Sequence, residues 1–176
     1  MSAPRPAEPA FLCMGLLVSE GVDPGALLDA VAGALAPVRL ATPLRPFRHT
    51  RYYEPEMGPG IRRGYVLLEG TWDPGDLAGI KLRSNELERA WSRQGRRRAN
   101  LDPGVLNLEQ FVLASGKPAA HRVYLGQGIY AEVEYVFQRG SFRPLPWTYP
   151  DYRESDTVSF FNQVRAMYRQ HRRGRP

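Results

Sequence analysis

Phe11–Ser19 (FLCMGLLVS), followed by Asp23-Pro24-Gly25 and ALLDAVAGAL over 26–35, sets the fold reading. The first run is short, continuously apolar and bounded by polar residues, the pattern of a central strand buried on both faces. An Asp can cap the free amides of a first helical turn while Pro presets φ at the next position, so Asp23-Pro24-Gly25 predicts a helix start. Leu27, Leu28, Val31 and Leu35 then recur at helical spacing. The tripeptide returns at 73–75 and 102–104. After the second copy Leu77, Ile80, Leu87 and Trp91 make an apolar stripe, with Lys81, Asn85 and Glu88 as a polar row read as a solvated face. After the third, Val105, Leu108, Phe111 and Val112 predict a shorter helix ending near Ser115–Pro118.

Strands are expected at Val38–Phe47, Arg63–Glu69 and Arg97–Leu101. The resulting order predicts an α+β fold, a ferredoxin-like βαββαβ sandwich core with helices on one face of an antiparallel sheet. Arg122–Gly126 and Ile129–Gln138 flank Gln127-Gly128 and predict a C-terminal β-hairpin that extends the sheet. In its second arm Ile129, Ala131, Val133, Tyr135 and Phe137 share one face, and Tyr130, Glu132, Glu134 and Val136 the other. Three prolines keep Arg143–Pro150 out of regular structure, so this Pro-aromatic segment should staple the domain edge. A terminal helix starts at Ser155 or Asp156 and turns Phe160, Phe161, Val164, Met167 and Tyr168 inward. The expected organisation is a disordered tail over 1–9, one globular domain over 10–171 and a basic tail over 172–176.

The chain has 176 residues, 43% of them apolar, enough for one buried core. Its net charge of +6 comes from two local patches. Arg89, Arg93, Arg96, Arg97 and Arg98 form one, and Arg165, Arg169, Arg172, Arg173 and Arg175 the other. Without them the chain is net acidic, which weakens a general nucleic-acid footprint. No apolar run approaches the roughly 18 residues that span a bilayer, and the start lacks a secretory pattern, so a cytoplasmic protein without membrane contact is expected. Cys13, the single cysteine, sits in the apolar run and reads as a small buried hydrophobe.

Polar residues at positions where strands predict burial carry the candidate chemistry, since burying a charge is costly without a partner. Glu132 and Glu134 lie two apart on one strand and Glu69 ends another, so carboxylates could pair there for acid/base work. Arg98 beside Asn100 and Asp102 suits bidentate capture of a carboxylate or phosphate, with Arg97 directed the opposite way. A salt bridge from this arginine to Glu132 or Glu134 is the plainer alternative. The candidates are therefore Glu132, Asp102 and Glu69 for catalysis, and Arg98, Asn100, Lys81 and Tyr124 for ligand binding. His49 with Glu54 or Glu56, and His121 with Glu132, lack metal-site spacing, and no metal is expected. No P-loop, dinucleotide fingerprint or nucleophile elbow occurs, so no cofactor is implied.

Five stretches are more specific: Tyr52–Gly58, Ile80–Glu88, Asn100–Gly104, Tyr124–Val133 and Pro146–Tyr152. Through them the chain resembles a bacterial family of uncharacterised proteins of about this length, some labelled "GTP-binding protein". The resemblance implies no activity, cofactor or catalytic residue, and the phosphate-binding loop such a label needs is missing. Three functions fit these residues. The first is binding of a small anionic, phosphate- or carboxylate-bearing ligand in a polar pocket on the sheet, with or without acid/base chemistry. The second is an RNA-binding module using the arginine patches and aromatics. The third is an interaction protein whose Pro-aromatic arm and last helix contact a partner or a second copy in a homodimer.

Overall fold

The computed structural model describes residues 3–174. Of the two expected tails, 1–2 and 175–176 lie outside the described residues. The chain runs β1 (Phe11–Val18), α1 (Pro24–Ala34), β2 (Val38–Ala41), β3 (Arg45–Pro46), α2 (Glu54–Met57), β4 (Arg62–Leu68), α3 (Leu77–Ala90), β5 (Ala99–Leu106), β6 (Gln110–Ser115), β7 (Val123–Gly126), β8 (Ile129–Gln138), β9 (Ser141–Pro144) and α4 (Ser155–Arg173). Among the described residues this is a mixed α/β structure with four helices and one antiparallel sheet of nine strands. Its order is β2-β4-β1-β5-β6-β8-β7, with β3 beside β4 and β9 beside β8. No helix among the described residues is long and apolar enough to cross a membrane.

β1 is buried along its whole length, and its alternate side chains supply two cores. Leu12, Met14, Leu16 and Val18 pack with Leu27 and Val31 of α1 and Leu77 and Ile80 of α3. Phe11 and Cys13 point the other way, into Tyr65, Leu67, Phe111, Tyr135 and the α4 residues Phe160, Phe161, Val164 and Tyr168. Each such side chain contributes about 1.5–3 kcal/mol by leaving water. Burial also pushes the Cys13 thiol pKa up, which suits a packing role. Glu8 and Pro9, from the expected tail, are tied to α4: Tyr168 donates to the Pro9 carbonyl and Arg172 pairs with Glu8.

Two of the three Asp-Pro-Gly copies cap helical turns, with Asp23 and Asp73 accepting from the amides of Gly25 and Gly75 at 3.0 and 2.8 Å. The third does not, which corrects the expected helix over 105–112. Asp102, Pro103 and Gly104 lie inside β5, and the turn to β6 is closed by Asn107, whose side chain accepts from the amides of Glu109 and Gln110. The apolar spacing there fits a period of two as well. Val105 and Leu106 enter opposite cores, as do Val112 and Phe111. Pro103 is tolerated because β6 registers only with Gly104–Leu106, so no ladder bond is lost at its nitrogen.

Val38–Phe47 is also not one strand. Pro43, without an amide hydrogen, separates β2 from β3, and both pair with β4. The β7–β8 hairpin forms as expected, with Gln127 and Gly128 both at positive φ, the requirement of a tight two-residue turn. Its expected alternation breaks at a β-bulge: Phe111 faces Tyr135 but Val112 faces Val133, leaving Glu134 as the extra residue. Ile129 therefore joins the α1/α3 core while Tyr135 joins the α4 core. The Pro-aromatic segment does staple the edge, but it is not wholly irregular as expected, since Arg143 and Pro144 belong to β9 and pair with β8. Trp147 donates its indole N–H to the Val133 carbonyl at 2.8 Å, and the Thr148 hydroxyl donates to that of Glu134 at 2.6 Å.

At the β5–β6 junction Gly104 leaves no room for a side chain. A Cβ on Gly104 would stand 2.5 Å from the Phe111 ring and 2.7 Å from the Val112 carbonyl oxygen. Gly104→Ala should therefore lower unfolding free energy by about 1–3 kcal/mol, as overpacking does. Urea denaturation measures it, and an unchanged midpoint would contradict this packing.

Candidate functional site

β5 is paired with β1 from Ala99 to Leu106, but its other edge meets β6 only over the last three residues. Ahead of Gly104 the two strands part, and a cavity of about 560 Å³ opens there. The peptide of Leu101 then faces the gap without a strand to bond. Two α3 side chains replace the missing partner: Glu88 Oε1 accepts from the Leu101 amide at 2.8 Å, and Lys81 Nζ donates to its carbonyl at 2.7 Å. The polar row read as a solvated face is instead 5% and 4% exposed at Lys81 and Glu88.

From this edge a polar floor spreads. Lys81 donates to Asp102 Oδ1 at 3.2 Å, and Asn100 donates to Asp102 Oδ2 at 2.6 Å. Arg97 makes a fork to both oxygens of Glu56 at 2.6 and 2.7 Å and also reaches Glu88 and Asn100. The Arg97 bond holds the Glu56 carboxyl below its ordinary pKa, against a smaller opposing effect of burial.

Arg63 of β4 lies deeper. Its guanidinium rests against the Tyr65 and Tyr152 rings, at 4.8 and 5.1 Å from their centres, over Gly15. A Cβ on Gly15 would stand 2.9 Å from Arg63 Nη2 and 2.6 Å from Tyr152 Oη, so only glycine leaves that space. Arg63 is 9% exposed, and its Nε, although 2.7 Å from Asp151 Oδ2, is not aligned for a hydrogen bond. Its Nη1 stands 3.8 Å from Asp102 Oδ2, beyond hydrogen-bond reach. The Tyr152 hydroxyl is likewise buried without a partner.

Phe47, Tyr53 and Tyr149 give the cavity aromatic walls. At the rim, Lys117 donates to the Tyr52 hydroxyl at 2.7 Å and lies over its ring, and that bond lowers the Tyr52 pKa. Behind the wall, Arg122 donates to Glu132, Ser115 and the Tyr149 hydroxyl. His121 Nε2 is 2.8 Å from Glu132 Oε2, and its ring stacks on Trp147. Glu134, in the bulge, is fully buried and neither carboxylate oxygen has a well-aligned partner. Burial, reinforced by the neighbouring Glu132 carboxylate, pushes its pKa up to about 8, and the nearby Thr148 hydroxyl only partly offsets this.

Of the residues named from sequence, Asp102, Asn100 and Lys81 line the cavity together. Glu132 braces its wall from behind. Glu69 is exposed beyond the end of β4, and Tyr124 is 60% exposed on the outer strand β7. Arg98 lies beside Gly21, and Arg97 takes the place expected for it. The reason is local: strand alternation begins only at Ala99, after a tight turn in which Arg93 and Arg96 exchange backbone bonds. His49 pairs with Glu154 rather than Glu54 or Glu56, and no group of three metal-ligating side chains occurs among the described residues. Sequence reasoning missed Arg63 and Asp151. The available signal was a charged residue two positions before Tyr65, in phase with the buried Tyr65 and Leu67 of β4 and hence on the same buried face.

The structure is thus an α+β sheet protein whose polar cavity is floored by buried charged side chains. Residues 8–168 match the family described as "Domain of unknown function (DUF4416)", and the chain belongs to that family. No curated protein and no solved structure matches it.

Between the ordinary glutamate value of 4.5 and about 8, Glu134 keeps its proton in the folded state and loses it in the unfolded chain. The folded state binds more protons, so this residue makes stability fall as pH rises through that window. Glu134→Gln should remove the contribution, and its stability relative to the wild type should climb across the window in urea titrations. Parallel pH profiles for the two proteins would refute the assignment.

Proposed function

We propose that this chain binds a small anionic metabolite, carboxylate- or phosphate-bearing, in the cavity between β5 and β6, with the anion on Arg63. The observation that carries the reading is the state of Arg63. An arginine offers five N–H donors in a rigid fork matched to such anions. Here it is 9% exposed and lines the cavity, and its Nε lies 2.7 Å from Asp151 Oδ2, buried and out of line for a hydrogen bond. Four lining cations, Arg63, Lys81, Arg97 and Lys117, face three lining carboxylates, Glu88, Asp102 and Asp151, and Glu56 forked to Arg97 brings the charges around the cavity into balance. The aromatic walls supply apolar surface for the rest of the ligand, the usual make-up of a small-molecule site. Of the candidate acid/base residues Asp102 alone lines the cavity, and any proton transfer to a bound ligand falls to it.

The order β5-β1-β4-β2, with α1 and α3 packed on one face, supports the ferredoxin-like reading of the first half, to which β6–β9 and α4 are additions. That packing, with α4 on the opposite face, does not favour an RNA-binding sheet surface.

Thermal-shift measurements with inorganic phosphate, acetate, succinate and citrate at millimolar concentration test the site. At least one should stabilise the protein, by about 2.7 kcal/mol at a hundredfold excess over Kd. Arg63→Lys keeps the charge beside Asp151 but loses the fork, and should weaken that anion about tenfold. No stabilisation by any of them, or an unaltered response in Arg63→Lys, would defeat the proposal.

A further inference from the structure

We infer that the ligand of this cavity is a zwitterion of the α-amino acid type, its carboxylate on Arg63 and its ammonium on Asp102, with an apolar or aromatic side chain against Phe47, Tyr53 and Tyr149. The inference rests on the anion-site reading of Arg63 and narrows it. Most charges around the cavity are already committed to the protein. Lys81 and Glu88 are held by the Leu101 peptide, Arg97 is forked to Glu56, and Lys117 is bonded to Tyr52. Arg63 and Asp102 are different. The Arg63 Nε lies against Asp151 without an aligned hydrogen bond, and its Nη1 stops 3.8 Å short of Asp102. Asp102 has a side chain 23% exposed, and each of its oxygens accepts one side-chain bond, from Lys81 or from Asn100. A carboxylate oxygen has two acceptor sites, so each retains one.

Charge placement selects between anions. Arg63 Nη1 is 3.8 Å from Asp102 Oδ2, and Arg63 Nε is 2.7 Å from Asp151 Oδ2. A phosphate dianion on that fork would meet two carboxylates at close range, and like charges so placed are disfavoured. A ligand whose own cation sits next to its carboxylate turns one of those carboxylates into a partner. The short separation of Arg63 from Asp102 matches the adjacent carboxylate and ammonium of an α-amino acid, where both groups stem from one carbon. Lys81 and Asn100 fix the Asp102 carboxylate in place, so little ordering remains to be done on binding. Leu17 and Leu113 join the aromatic rings in the lining, alongside polar His49, Thr50, Asn85 and Ser115, and the apolar part directs a hydrophobic side chain there.

The test is calorimetric titration of the full chain with the proteinogenic L-amino acids. The tightest is then compared with its deaminated acid, its decarboxylated amine and inorganic phosphate, on wild type and Asp102→Asn. The expected result is an amino acid that binds at least about tenfold more tightly than its deaminated acid, the size of a charge-assisted contact. In Asp102→Asn that gap should collapse while the deaminated acid binds as well as before or better. Should a deaminated acid or phosphate match or exceed every amino acid, or Asp102→Asn keep the preference, the zwitterion assignment falls and the anion site stands. Should nothing bind, including phosphate and the simple carboxylates, both fall. Circular dichroism of Asp102→Asn confirms that a lost preference is not lost folding.

Discussion

The backbone of Leu101 is the point on which the site depends. A buried peptide group must find hydrogen bonds, and at Leu101 the sheet withholds them by letting β6 diverge. Lys81 and Glu88 meet the need from α3, the lysine at the Leu101 carbonyl and the glutamate at its N–H. A charged donor and a charged acceptor make stronger bonds than the ladder they replace. Because the edge is satisfied by side chains rather than by a strand, the space a strand would have filled is free to be a cavity. Lys81 and Glu88, at 3.5 Å from one another, also offset each other's charge. Lys81 holds Asp102, Glu88 holds Arg97, and Asn100 bridges Asp102 and Arg97, so the floor is one connected network with its root in a backbone constraint.

The fold was legible where local chemistry and long-range packing agree. Asp23 and Asp73 make the caps their tripeptides predict, because the apolar residues after each have a helical stripe that the sheet can cover. Asp102 stands before residues that satisfy both a helical and an alternating pattern. Its tripeptide was decided by Met14 and its neighbours on β1, which pair with β5 over eight positions, and sequence reading has no access to that pairing. The same holds for Glu134: alternation is a property of an unbroken strand, and the bulge that shifts it arises from how β6 meets β8. At the site, Asn100 and Asp102 were recognisable as polar residues where a strand pattern predicts burial, whereas Lys81 reads from sequence as a ligand residue on a solvated helix face, its burial being set by the Leu101 backbone. Arg63 and Asp151 were not recognisable, because they come from distant segments that only Gly15 brings together, by leaving room on β1 for a guanidinium and a tyrosine hydroxyl.

The second half of the chain does for the cavity what the first half does for the core. The β6–β8 pairing carries Arg122 and Glu132 to the back of the wall, and the Pro-aromatic segment is pinned across β8 by Trp147 and Thr148. That pinning places Tyr149 where Arg122 can reach its hydroxyl, and it places Asp151 and Tyr152 over Arg63. The bulge at Glu134 is part of the same arrangement, since the Glu134 carbonyl receives Thr148. A buried, poorly bonded carboxyl is thus the cost of the turn that fixes the wall.

Buried ion pairs are weak evidence for stability, because removing two charges from water costs about as much as their attraction returns. The network around Lys81, Glu88, Arg97 and Glu56 is therefore better understood as geometry than as glue. It holds Asp102 in one orientation and keeps the diverging strands from collapsing onto each other. Arg63 does not fit that account. Its Nε lies 2.7 Å from Asp151 Oδ2 but out of line for a hydrogen bond, and that oxygen accepts instead from the Tyr65 hydroxyl at 2.9 Å. A structure that satisfies Leu101 so fully leaves the Arg63 Nε without an aligned bond beside an open cavity, and that contrast is the ground on which the proposed anion site stands.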